Sequence, residues 1–295
     1  MKPAIEALRP PLAPNPNLNL TPNLFLRVYS FPFILFALFF ASSASAANVD
    51  RIARIADPDI KECSGIVASR QYPDVFWVHN DGKREHLYAI NRKGATLAQF
   101  KIKGAEFHDW EDITMDAGNN LYAADTGNND AKRMEVAVYR FREPNPKHSD
   151  KSIHVTRQWT LRYPLAPRDC ESIVVVGTNG YLISKVTGNK MAEVFSFPLE
   201  GSDGPITLKS LAHLVIDSPV TAAAVSSDGK TLAAISKEGA FFFEFDGTFL
   251  STKLLRPRNR VVFLHQSIEG CTFVPDGLLV AAESRELFLF KIPGT

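Results

Sequence analysis

Five stretches of this chain repeat one three-run pattern, and that recurrence constrains the fold more than any single residue does. The stretches open at Cys63-Ser64-Gly65-Ile66, Trp110-Glu111-Asp112-Ile113, Cys170-Glu171-Ser172-Ile173, Thr221-Ala222-Ala223-Ala224 and Ile268-Glu269-Gly270-Cys271. A turn signal and a second apolar run follow each opening, at Val75–Val78, Leu121–Ala124, Tyr181–Ser184, Leu232–Ile235 and Leu278–Ala282. A third run is rich in aromatics: Leu87–Ile90, Val138–Phe141, Val194–Phe197, Phe242–Phe245 and Leu287–Phe290. Lys93-Gly94, Glu143-Pro144, Glu200-Gly201, Asp246-Gly247 and Pro293-Gly294 close these runs.

Short β-branched and aromatic runs bounded by Gly, Pro, Asn and Asp specify hairpins, and no stretch sustains a 3.6-residue period. Repeats that start every 47 to 60 residues describe an all-β propeller, with five blades favoured and a sixth as the rival count. Fourth strands are expected at Thr96–Ile102, Ile153–Tyr163, Ile206–Ile216 and Phe249–Leu255, the last continuing in one reading to Phe263. The fifth repeat ends without one, so Val49–Ile55 is expected to close the ring from the other end of the chain.

Residues 1–46 read as a leader and residues 47–295 as the propeller domain. Phe31–Phe40 is an apolar run after Arg27, and Ala44-Ser45-Ala46 fits the small-residue signal before a cut at Ala46/Ala47. A periplasmic or secreted location is therefore expected. The run falls short of the roughly 20 residues of a membrane span; an uncleaved anchor is the alternative. Removing Lys2, Arg9, Arg27 and Glu6 takes 33 basic and 32 acidic residues to 30 and 31. With no basic cluster, nucleic acid is excluded as a partner. A monomer is expected, with a small anionic molecule or a protein as ligand. Cys63, Cys170 and Cys271 show no zinc spacing and read as packing residues, although a Cys63–Cys271 bridge across the closure is conceivable.

One inner-strand position reads Ser64, Glu111, Glu171, Ala222, Glu269 across the repeats. Fourteen residues after each Glu stand Asp125, Lys185 and Glu283; the fourth repeat offers Ser236-Lys237 and the first His79-Asn80-Asp81. Asp109 and Asp169 precede Glu111 and Glu171 by two residues, on the same strand face. Carboxylates converging on one axis repel unless neutralised, and a hard divalent cation with six to eight oxygen ligands, Ca²⁺ foremost, would do so. The expected ligands are Glu111, Glu171, Glu269, Asp125 and Glu283. Internal ion pairs to Lys185 and Lys237 in a wet channel are the alternative. His79 or His108, with Asp109, could serve as base beside a metal-bound water, and Lys185, Arg168 and Lys237 could hold an anionic substrate. No GxSxG, HExxH, Walker or GxGxxG motif is present, which excludes those chemistries.

His79-Asn80-Asp81-Gly82, Asp109-Trp110-Glu111-Asp112-Ile113, Asp125-Thr126-Gly127-Asn128-Asn129 and Asp169-Cys170-Glu171-Ser172-Ile173 resemble motifs of a widespread group of secreted bacterial propellers. Those motifs usually read HNDSG, DWEDI, DxGDN and DxEA. More distantly, the blades look like those of esterase-like phytases, SdiA-regulated proteins and gluconolactonase-like propellers. The last resemblance implies a divalent metal on the axis, held here by Glu111, Glu171 and Asn80. The resemblance implies no particular substrate; the functions that remain are a metal-dependent ester, phosphoester or lactone hydrolase, a non-catalytic binding propeller with or without a structural ion, and a scaffold whose channel is only wet. Lys83 departs from the pattern, as does the Asn128-Asn129 pair where the third motif has Asp-Asn.

Overall fold

The computed structural model describes residues 48–148, 151–186, 191–201, 204–249 and 254–292. The leader, the cleavage signal and the Pro293-Gly294 turn lie outside them. Among the described residues the regular structure is all strand, and no helix is long and apolar enough to cross a membrane.

Strand β1 (Val49–Arg54) precedes a first meander of β2 (Cys63–Ala68), β3 (Phe76–Asn80), β4 (His86–Ile90) and β5 (Thr96–Lys103). The second comprises β6 (Trp110–Met115), β7 (Asn120–Asp125), β8 (Glu135–Arg142) and β9 (Ser152–Arg162). The third has β10 (Cys170–Val176), β11 (Asn179–Ser184), β12 (Ala192–Pro198), a two-residue β13 (Ile206–Thr207) and β14 (Lys209–Leu214). The fourth runs through β15 (Val220–Val225), β16 (Thr231–Ser236), β17 (Gly239–Glu244), a two-residue β18 (Leu254–Leu255) and β19 (Asn259–Val262). The last contains β20 (Ile268–Val274), β21 (Gly277–Ala282) and β22 (Glu286–Phe290).

The first strands touch in cyclic order, β2 to β6 to β10 to β15 to β20 and back to β2. That ring of radiating antiparallel sheets is a β-propeller. It shuts where β1 pairs with β22, Val49 opposite Phe290 and Arg54 opposite Glu286, so the N-terminal strand completes the last sheet as expected. Outer edges are covered too. β5 pairs in parallel with β9, β13 with β9 and β14 with β18, which ties neighbouring sheets at the rim and leaves fewer open edges.

The fourth meander departs from its expected outer strand. The strand beside β17 is Asn259–Val262, whereas Leu254–Leu255 leaves to join β14. Pro257 stands between the two, and a proline cannot donate to a ladder, so one continuous strand is broken there.

Apolar clusters pack between successive meanders. The Phe241-Phe242-Phe243 run shows why both faces of a strand are apolar. Phe241 and Phe243 pack toward the third meander and Phe242 toward the fifth. Each fully buried phenyl contributes about 1.5–3 kcal/mol. All three cysteines are free and buried, each in a different cluster, which fits packing rather than bridging. Burial holds the Cys63 thiol up at about 12.

Candidate metal centre at the channel mouth

Every inner strand carries a register shift at its first residues. Pairing skips from Trp110 to Asp112, from Cys170 to Ser172, from Val220 to Ala222, from Ile268 to Gly270, and from Cys63 to Ile66. The skipped residues include Glu111, Glu171, Thr221, Glu269 and Ser64. A bulge leaves one residue without a ladder partner and re-aims its side chain. Here the bulged residues stand at one end of the channel, where Ser64, Glu111, Glu171 and Glu269 line a cavity of about 160 Å³. The fourth repeat is corrected by one residue: the bulged position is Thr221, not Ala222, which is buried among apolar side chains. Thr221 donates its hydroxyl to the Ile268 carbonyl at 2.7 Å, and Ser64 donates to the Glu111 carbonyl at 2.6 Å. These hydroxyls stitch neighbouring inner strands together.

The residue just past each second strand also reaches the mouth. Those residues are Asp81, Thr126, Lys185, Lys237 and Glu283, of which Asp81, Lys185 and Glu283 line the cavity. Asp125 is one place earlier. Its Oδ1 accepts from the His108 and Asp109 amides at 3.0 and 2.7 Å, and its Oδ2 faces Arg133 at 3.0 Å. It organises the loop rather than facing the cavity. Asn80 is likewise committed, since its Oδ1 accepts from the Lys61 and Glu62 amides and its Nδ2 donates to the Asp59 carbonyl.

Two triads of carboxylates offer oxygens within 4.8 Å of one another: Asp81, Asp109 and Glu111, and Glu111, Asp169 and Glu171. Glu111 belongs to both. Asp81 and Asp169 lie in motifs read from the sequence, but only the structure places them beside Glu111. The Gly127 backbone leans against this group. A Cβ there would lie 2.0 Å from Glu111 Oε1 and 2.4 Å from Asp109 Oδ2, so the close approach needs glycine. Arg133 fixes that loop by donating to the Gly127 carbonyl at 2.7 Å.

Burial is the first cause that holds the carboxyls of Asp81, Asp109, Glu111, Glu171 and Glu269 above their usual range. Glu111 is pushed far up by desolvation and by Glu171, Asp81, Asp109 and Asp169. Glu171 is raised by desolvation against the opposing pull of Lys185. Glu269 is raised to about 7, chiefly by burial, and Asp81 to about 6 by burial and by Asp109. Asp81 Oδ1 is also buried without a hydrogen-bond partner. The lining holds six carboxylates (Glu62, Asp81, Glu111, Glu171, Glu269 and Glu283) against one ammonium, Lys185. Lys185 contacts Glu171 directly and lies 3.8 Å from Asp169. All-oxygen donors with excess negative charge suit a hard cation, so these acidic groups could hold a metal ion.

The other expected residues are dispersed. His79 is fully buried. Its Nε2 accepts from the Gly65 amide at 3.0 Å, its Nδ1 lies 2.9 Å from the Asn80 carbonyl, and its ring stacks on Trp110 at 3.9 Å. Both nitrogens are occupied, and burial holds its pKa down at about 3, so His79 is a neutral packing residue. His108 keeps an exposed ring 3.5 Å from Asp125 Oδ2. Arg168 pairs with Glu193 at 3.2 Å and does not line the cavity. Lys237 is outside the lining but near enough to act electrostatically on Glu269.

Beneath the ring sits Asp112, a motif residue with no role assigned from sequence. Its carboxylate accepts from Ile113 N at 2.8 Å and Ile173 N at 3.0 Å, and from the Ala223 backbone. It thereby binds the edges of three inner strands at the axis. Burial holds its pKa well above the usual carboxylate range despite those bonds.

No protein-family model matches the chain, and no curated protein matches it in sequence. Solved structures do resemble it in shape. A protein provisionally assigned as a gluconolactonase is 14% identical with a TM-score of 0.46, over 78% of this chain and 74% of that one. The nidogen/laminin complex is 12% identical with a TM-score of 0.45, over 75% and 73%. The hydrazine synthase of Kuenenia stuttgartiensis is 11% identical with a TM-score of 0.46, over 78% and 72%.

Proposed function

We propose that this is an exported, five-bladed propeller that holds a divalent cation, calcium by preference, at the bulged end of its channel. The observation that carries the reading is the lining itself: six carboxylates face one ammonium, and a buried Asp81 oxygen lacks a partner. Asp81, Asp109, Glu111, Asp169 and Glu171 would hold the ion, with Glu269 and Glu283 beside it. Asp81 and Asp169 stand in for the expected Asn80 and Asp125, whose oxygens are engaged by backbone amides. Bound there, a divalent ion supplies Lewis-acid polarisation of a substrate oxygen and a more acidic water. Ester, phosphoester or lactone hydrolysis is the chemistry that follows. His108 keeps an accessible ring at the same end, and His79 does not. Lys185 and Arg168 are already neutralised by Glu171 and Glu193, so an anionic substrate would be held through the ion. Export rests on the Phe31–Phe40 run and the Ala44-Ser45-Ala46 signal.

Metal analysis of the purified mature domain, with calorimetric titration of Ca²⁺, tests this. Stoichiometric binding and a melt lowered by EDTA are expected; no binding and an unchanged melt would end the reading. A second reading has its own observation. The Lys185 ammonium already contacts Glu171, which fits a non-catalytic propeller with an internal counter-charge. Lys185→Met separates the two. Ca²⁺ affinity rises by about tenfold if the ammonium competes with an ion, whereas the second reading expects stability to fall and no ion to bind.

A further inference from the structure

The end of the propeller that bears the acidic cavity also bears most of its exposed apolar side chains. Inner strands start at this end, second strands finish there, third strands start there and outer strands finish there. Among the described residues seven large apolar side chains are exposed. Met134 (61%) lies in the β7–β8 loop, Leu165 (82%) in the β9–β10 loop and Val186 just past β11. Leu264 (76%) lies in the β19–β20 loop, and Val262 (62%) ends β19. All five therefore belong to the mouth end, whereas Leu97 sits at the opposite end and Leu254 on an outer edge.

Three of these apolar groups are chained to a residue fixed at the mouth. Met134 follows Arg133, which holds the Gly127 loop, and Val186 follows Lys185. Leu264 precedes His265, whose amide donates to the Lys237 carbonyl. Exposed apolar groups on the end that bears a charged cavity give that end both elements of an interaction surface. The cavity narrows the choice of what fits. At about 160 Å³ it is below the roughly 300–1,000 Å³ of small-molecule pockets, so it admits an ion or one protruding group of a larger ligand, such as the end of a side chain. Six carboxyl groups outnumber the charges of one divalent ion and Lys185 by three, so the mouth keeps acidic groups with or without the ion.

We propose that this end docks a polypeptide partner that directs a lysine or arginine side chain at the acidic mouth while apolar neighbours cover Leu165, Leu264, Met134 and Val186. Charge complementarity sets the pairing and its rate, and apolar contact supplies the dwell time. The inference goes beyond cation binding and does not depend on it.

A random phage-displayed peptide library panned on the immobilised mature domain tests it, with and without EDTA. The expected result is enrichment of peptides with one Lys or Arg flanked by apolar residues. Their synthetic forms should bind about tenfold more weakly to the Leu165→Ser/Leu264→Ser double variant. Both positions are exposed, and a matching melting curve for the variant would establish that its fold is intact. No enrichment, enrichment without a cationic residue, or binding unchanged in the double variant would each overturn the proposal. Two alternatives would do the same if sensitive to that variant: co-sedimentation with phosphatidylcholine/phosphatidylglycerol vesicles, which indicates a lipid surface, and self-association in sedimentation velocity, which indicates a second copy. Failure of Ca²⁺ binding with successful peptide selection would sink the cation reading and leave this one standing.

Discussion

The same inner strands build two unlike channel ends. At their starts, bulges push Glu111, Glu171 and Glu269 into a tight acidic cavity. At their finishes the ladders run in register, and a wider cavity of about 530 Å³ is lined largely by apolar groups such as Ile66, Ile113, Met115, Ala223 and Phe273. The second end buries no charge, since its charged lining residues, Arg70 and Asp74, are exposed. The first spends desolvation free energy that folding does not require, which is where function is to be sought. Asp112 divides the two ends.

Breaking the divider should have the largest effect. Asp112→Ala orphans three inward backbone amides, so urea unfolding should show a loss of at least about 3 kcal/mol; a loss under about 1 kcal/mol would mean that the amides find other acceptors. Next, Glu111→Gln removes the carboxylate common to both triads. Ca²⁺ affinity should fall by more than the roughly 10–100-fold that loss of an outer-shell partner costs. Titration calorimetry that finds wild-type affinity would detach the bulges from ion binding.

The third effect is on pH dependence. In the ion-free protein, Glu269 titrates near about 7 against an ordinary 4.5, and Asp81 near about 6 against 3.8. A carboxyl with a raised folded pKa favours the folded state while protonated. Its contribution is complete below about pH 4 and is lost as pH rises through about 6 to 7. The gap between Ca²⁺-loaded and EDTA-treated melting temperatures should therefore widen from pH 5 to about pH 8. A constant gap would mean that these groups are not the ones neutralised. Smallest of all, Arg70→Gln at the apolar end should leave Ca²⁺ affinity unaltered and stability within about 0.5 kcal/mol. A larger change in affinity would show the two ends to be coupled.

Much of this was readable from sequence because apolar runs and turn residues report strand order directly. Strand β1 as the closing partner of β22 followed from the missing fourth run of the last repeat. The glutamates at 111, 171 and 269 stood out as charges where a packing strand would be apolar. Registry within each hairpin was not readable. The third and fifth hairpins turn through two residues, whereas the second loops through Ala117–Asn119, with Asn119 at φ 59°. A fixed offset of fourteen therefore reached Lys185 and Glu283 but stopped one short of Thr126, at Asp125. A separate one-residue misalignment of the fourth inner strand put Ala222 in place of Thr221. Backbone accounting explains the rest. His79 and Asn80 spend their polar atoms on amides and carbonyls, a role that a sequence pattern does not distinguish from catalysis.

The clasp between Val49 and Phe290 joins residues from opposite extremes of the described chain. Pairing so remote in sequence is slow to form, because loop-closure entropy is spent before the contact gives anything back. The annulus should thus lock last in refolding, after its sheets have individually collapsed. Moving the chain break to the Asp228-Gly229 turn, with the present ends joined, would make the Val49–Phe290 pairing local and hand the remote closing step to β15 and β16.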